Sequence, residues 1–126
     1  SMFGQLRQDE RGVDLKRGGI FPIVHGLRCL ALKHGIRQRN SFARCEALEQ
    51  AGGLDAALAR DVAQTLAVLQ RLRLDAQLAT LDAGGVPDNF LHPEALRRLD
   101  RELLRDALRV VKAFQQHVRG VFHLND

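Results

Sequence analysis

The chain has 126 residues, of which 45% are hydrophobic and 27% charged, a balance that fits one globular domain rather than a disordered chain. Its net charge of +4 permits phosphate-bearing partners without requiring one. No apolar run reaches the roughly eighteen residues of a membrane span and no secretory signal is visible, so the protein reads as cytoplasmic.

Leucine and alanine dominate while Trp and Tyr are missing, which points to helices. Residues 1–18 read as an extended arm or small hairpin with a turn at DERG, and 19–126 as a helical bundle. Ser1, ahead of Met2, reads as a tag remnant. The first helix is expected to begin near Pro22, which suits a first turn, and to end at Gly35. A short second helix follows, with Asn40 or Ser41 as cap, and runs to Gly52-Gly53. Asp55 caps a long third helix reaching about Asp82, and Pro93 opens a fourth.

Apolar spacing groups these helices into one body. The fourth carries Leu96, Leu99, Leu103, Ala107, Val110, Val111, Phe114, Val118 and Val121 at three- and four-residue steps. The third has one face of Leu58, Val62, Thr65, Leu69, Leu72 and Ala76, and a second of Ala63, Ala67, Leu74, Leu78 and Leu81. A helix apolar on two sides calls for neighbours on two sides. The expected fold is all-α, a four-helix up-and-down antiparallel bundle.

Candidate chemistry is sparse. Arg28 stands on the flank of the first helix's apolar face, beside Phe21 and Leu32. It either snorkels or pairs with a carboxylate of another helix, or it holds an anion bidentately. Arg73 repeats the pattern on the third helix. His25 and Cys29 are four apart, but a metal needs further ligands and none stands at a recognised spacing. Cys29 and Cys45 read as reduced, buried thiols. Arg98, Arg101, Arg105, Arg109 and Lys112 form a ridge interleaved with Glu102 and Asp106, better explained as a solvated face than as a nucleic-acid surface. "RCLALKH" also fits the loose arginine–histidine spacing of HEPN-type ribonucleases, with Cys29 where those enzymes place a polar residue. A nucleic-acid-binding or HEPN-like ribonuclease domain is therefore the alternative reading, and an apolar-faced homodimer a third. No P-loop, GxSxG or HExxH is present, and no carboxylate pair suits the two metal ions of nucleotidyl transfer.

One long stretch is more specific. "VDLKRGGIFPIVHGLRCLALKHGIRQRNS", continued by "LRLDAQL", "GGVPDNFLHP" and "LRRLDRELLRDALRVV", resembles the nucleotidyltransferase substrate-binding domain that ends bacterial signal-transduction proteins with cyclic-nucleotide-binding, CBS and nucleotidyltransferase modules upstream. His92 departs from the pattern, since an aspartate cap is expected before Pro93. The resemblance implies a four-helix bundle that packs beside an upstream transferase domain similar to PII uridylyltransferase. Mg2+ and a nucleoside triphosphate would belong to that domain, with no cofactor here. The bundle would not be catalytic alone and would help to bind a protein or small-molecule substrate. By the same resemblance Asp14, Lys16 and Arg28 would face the substrate cleft, Lys16 being the nearer phosphate contact, with Arg73, Asp88 and Asn89 as further candidates.

Overall fold

The computed structural model describes residues 12–123. Residues 1–11 of the expected arm, with most of its DERG turn, lie outside the described residues. The end of that arm does not fold back on itself locally. Strand β1 (Val13–Asp14) pairs antiparallel with β2 (Phe90–Leu91), Val13 opposite Leu91 and Asp14 opposite Phe90. Val13, Leu15 and Leu91 are buried, so this small ribbon turns its apolar side inward and closes one end of the bundle. Gly12 makes the approach possible: its φ is +101°, and a Cβ there would sit 2.5 Å from the Leu91 carbonyl oxygen.

Helical structure begins at Lys16, ahead of the helix start expected near Pro22. Asp14 is the reason. Its Oδ1 accepts the backbone N–H groups of Lys16 and Arg17, each at 3.0 Å, satisfying donors that a helix start leaves open. A π-helical turn, Lys16–Ile20, then runs straight into α1 (Phe21–Lys33), with Pro22 in the first turn. Helix α1 stops at His34, and Gly35 takes φ +68°. Helix α2 (Ser41–Gln50) is capped by Asn40, whose side chain accepts from Phe42 and Ala43 N–H. Helix α3 (Ala56–Asp82) is capped by Asp55, which accepts from Leu58 N–H at 2.7 Å. These starts and stops are the expected ones.

The fourth helix starts later than expected. Pro93 opens only a 3-10 turn, Pro93–Ala95, and Leu96 is extended before α4 (Arg98–Val121) begins. His92 supplies no cap; its Nδ1 lies 3.6 Å from Glu94 Oε1 instead. The chain is extended at Leu96 and Arg97, and α4 itself begins without a side-chain cap.

The fold is an all-α bundle, as expected. Contacts along the helices set their directions. Gly19 packs on Leu69 and Gly53 on His34, so α3 runs against α1. Arg71 pairs with Asp100, and His117 Nε2 lies 3.3 Å from the Gly53 carbonyl oxygen, so α3 also runs against α4. Helices α1 and α4 consequently run side by side in the same direction, Gly26 against Phe114 and Lys33 against the Phe122 ring. Short α2 joins the ends of α1 and α3 and packs on both.

The core joins Ile23, Leu27 and Leu30 of α1, Cys45 and Leu48 of α2, Val62, Leu66, Leu69 and Leu72 of α3, and Leu104, Leu108, Val111 and Phe114 of α4. Two expectations change here. On α4 the buried stripe contains Leu104 and Leu108, while Leu99 is 73% exposed and Leu103 lines a groove between α3 and α4. Three- and four-residue steps fit both stripes, and packing on α1 and α3 together selects the first. On α3 the second apolar face stays outside. Ala63 is half-buried against the core, but Ala67, Leu74, Leu78 and Leu81 are exposed, because α1, α2 and α4 all gather on the opposite side. Among the described residues no helix is long and apolar enough to cross a membrane.

Candidate functional site

At the ribbon end of the bundle, Asp14, Lys16, Arg17, Phe21 and Asn89 line a cleft of ≈ 370 Å³. One wall is β1 with the π-helical turn; the other is the turn leading into β2. The Leu15 N–H donates to the Asn89 carbonyl oxygen at 2.9 Å and ties the walls together. The Asp88 side chain accepts from Phe90 N–H at 2.9 Å, and its carbonyl oxygen accepts from Gln77 Nε2 at 3.0 Å. Asp88 therefore shapes the turn and anchors it to α3, leaving the neighbouring Asn89 to face the cleft.

The polar groups of the cleft are unequally committed. Asp14 is spent as a cap on the N–H groups of Lys16 and Arg17. Among the described residues, the Lys16 and Arg17 side chains have no carboxylate partner and the Asn89 carboxamide makes no hydrogen bond. Phe21 is 57% exposed, and its ring stacks on His25 at 5.3 Å and an interplanar angle of 9°. An apolar ring, two cations and an amide thus converge at a helix start whose first N–H groups are held by Asp14.

A family model described as "Putative nucleotidyltransferase substrate binding domain" matches residues 1–122. The chain belongs to this family. No curated protein and no solved structure matches the chain. Membership associates the bundle with a nucleotidyltransferase domain.

Of the six residues singled out in the sequence of this substrate-binding domain, the fold brings Asp14, Lys16 and Asn89 to one cleft. Asp88 is beside it in the turn. Arg73 occupies the face of α3 that turns toward the ribbon: it is one turn beyond Leu69, which packs on Gly19, and one turn before Gln77, which holds Asp88. Arg28 is not at the cleft lining. It stands two turns beyond Phe21 on the outward face of α1, roughly 10 Å along the axis, exposed and without a carboxylate partner among the described residues. The ion pair with a carboxylate of another helix that its flank position suggested is not formed among the described residues.

Arg17 and Phe21 line the cleft but escape sequence reasoning. Arg17 was legible beside Lys16 in "DLKRGG". Phe21 was not, since an apolar residue in an apolar run reads as core. Cys29 is only half-buried, with its thiol 3.7 Å from His25 Nε2, whereas burial pushes the Cys45 thiol up to about 11. Among the described residues no three His, Cys, Asp or Glu side chains converge for a metal. The donor set of this cleft, one capped carboxylate beside two cations, does not fit Mg2+.

Proposed function

We propose that this domain captures an anionic substrate in the Lys16–Arg17–Asn89 cleft and presents it to a nucleotidyltransferase domain of the same protein, without catalysing the transfer itself. The observation that carries this reading is the convergence on one ≈ 370 Å³ cleft of two cations and an amide that have no side-chain partner among the described residues. Two adjacent cations favour a phosphate or carboxylate over a neutral ligand. Nucleotidyl transfer runs on carboxylate-held metal ions, and these, with the nucleoside triphosphate, belong to the partner domain in this reading. A bacterial signal-transduction setting, with CBS and cyclic-nucleotide-binding modules and a uridylyltransferase-like enzyme in the cytoplasm, is the context we infer from the resemblance.

The basic ridge of α4 offers less. Arg105 lies 3.6 Å from Glu102 and Arg109 2.7 Å from Asp106, so two of its five cations face carboxylates of the same helix. Nucleic acid is not the partner we propose.

The test is transfer by the protein that carries this domain together with its transferase domain. Lys16→Gln with Arg17→Gln is expected to raise KM for the acceptor at least tenfold with kcat little changed, the signature of lost substrate binding. Unchanged kcat/KM in the folded double variant would overturn the reading.

A further inference from the structure

The exposed ring of Phe21 adds a requirement that cations alone would not impose. Its neighbours along the helix fix how it is presented. His25, one turn toward the C-terminus, covers the ring in a near-parallel stack. Arg17, four residues toward the N-terminus, lies on the cleft side, and both Arg17 and Phe21 line the cleft. Phe21 is thus covered by an imidazole on one face while the residue, 57% exposed, lines the cleft. A large aromatic side chain held out of the core at 57% exposure gives up its own burial and offers a stacking surface.

We propose that the cleft selects a small phosphorylated compound carrying a flat unsaturated ring, with the phosphate on Lys16 and Arg17, the ring stacked on Phe21, and the ring's polar edge on the Asn89 carboxamide. This rests on the substrate-binding reading above and names the chemical class of ligand. The volume fits: ≈ 370 Å³ lies at the small-molecule end of binding pockets and accommodates a mononucleotide-sized molecule. The amide suits a heterocycle edge because it both donates and accepts. Asp14 Oδ1 is held by two backbone N–H groups, and its remaining negative charge is outnumbered by the two cations of Lys16 and Arg17.

The experiment is calorimetric titration of the chain with three probes: adenosine 5′-monophosphate, ribose 5-phosphate and adenosine. The monophosphate is expected to bind about tenfold or more tightly than ribose 5-phosphate, the scale of base stacking on an aromatic side chain, and also more tightly than adenosine. Phe21→Leu, at an exposed position the fold does not depend on, should reduce the monophosphate to the affinity of ribose 5-phosphate. Lys16→Gln with Arg17→Gln should reduce it to that of adenosine. Equal binding of monophosphate and ribose 5-phosphate, indifference to Phe21→Leu, or no monophosphate binding at millimolar concentration would each overturn the proposal. The two readings separate cleanly. Transfer lost in the Lys16/Arg17 variant with no preference for the ring removes the ring site alone. Ring-dependent binding with undisturbed transfer removes the presenting role alone.

Discussion

Leu15 donates its backbone N–H to the carbonyl oxygen of Asn89 across 2.9 Å, and this bond joins two segments far apart in the chain into one binding edge. Lys16 follows directly on one side, and the Asn89 side chain is on the other. The relation between a cation and an amide is thus set by backbone pairing rather than by two flexible side chains finding each other.

Asp14 has two separable roles at this edge, an acceptor for Lys16 and Arg17 N–H and a negative charge beside an anion cleft. Asp14→Asn keeps the acceptor and removes the charge, so titration with inorganic phosphate should show tighter binding than in the parent. Asp14→Ala removes the cap and should cost about 1 kcal/mol in thermal unfolding, more than the Asn variant. Equal losses from both would contradict the capping role.

Arg28 is exposed and pairs with no carboxylate among the described residues. Arg28→Met should therefore change unfolding stability by no more than about 0.5 kcal/mol. A loss on the order of 3–5 kcal/mol, the signature of a broken buried pair, would show that it has a partner.

Gly26 of α1 lies against α4. A Cβ there would lie 2.6 Å from Phe114 Cε2 and 3.2 Å from Val118 Cγ2, and the Phe114 ring is fully buried. Ala is the better helix former by about 1 kcal/mol, yet the overlap should win and destabilise Gly26→Ala by ~1–3 kcal/mol. Trimming the ring with Phe114→Leu in the same chain should recover part of that added loss in denaturant unfolding, which independent sites would not do.

Cys45 sets a pH dependence. Its thiol keeps its proton in the fold up to about 11, against 9.0 for the free group, because burial disfavours the thiolate. Above pH 9 the unfolded chain releases a proton that the folded chain retains. Stability should fall between pH 9 and 11 by about 2–3 kcal/mol and level off beyond. Comparing unfolding of the parent and Cys45→Ala across that range isolates the effect. Identical slopes would rule it out. Cys29, half-buried, should also react with a thiol reagent before Cys45 does.

Much of the fold was legible because it is local. Asn40 and Asp55 announce helix starts, since a short acceptor side chain satisfies N–H groups two or three residues on, and Gly35 announces a stop, since it takes positive φ without strain. The all-α class followed from composition and spacing. What spacing could not choose was between Leu99–Leu103 and Leu104–Leu108 on α4, because both sets recur at helical steps. Nor could it tell that the α3 face of Leu74, Leu78 and Leu81 would be left outside, because amphipathicity records what a helix can bury and not how many neighbours arrive.

The site divides in the same way. Lys16 and Asn89 stood in the two stretches, "DLKRGGIFP" and "GGVPDNF", that carry the family resemblance, so their candidacy needed no coordinates. Their proximity did. The sequence alone determined a helical domain, the Asn40 and Asp55 caps, its family and, in Asp14, Lys16 and Asn89, three of the residues that line the cleft. Only the tertiary structure decided that β1 and β2 pair, that Lys16 and Asn89 meet at one cleft, and that Phe21 lines that cleft rather than the core. Each of those depends on contacts between residues distant in the chain, and a local pattern of side chains carries no record of which distant backbone will come to rest beside it.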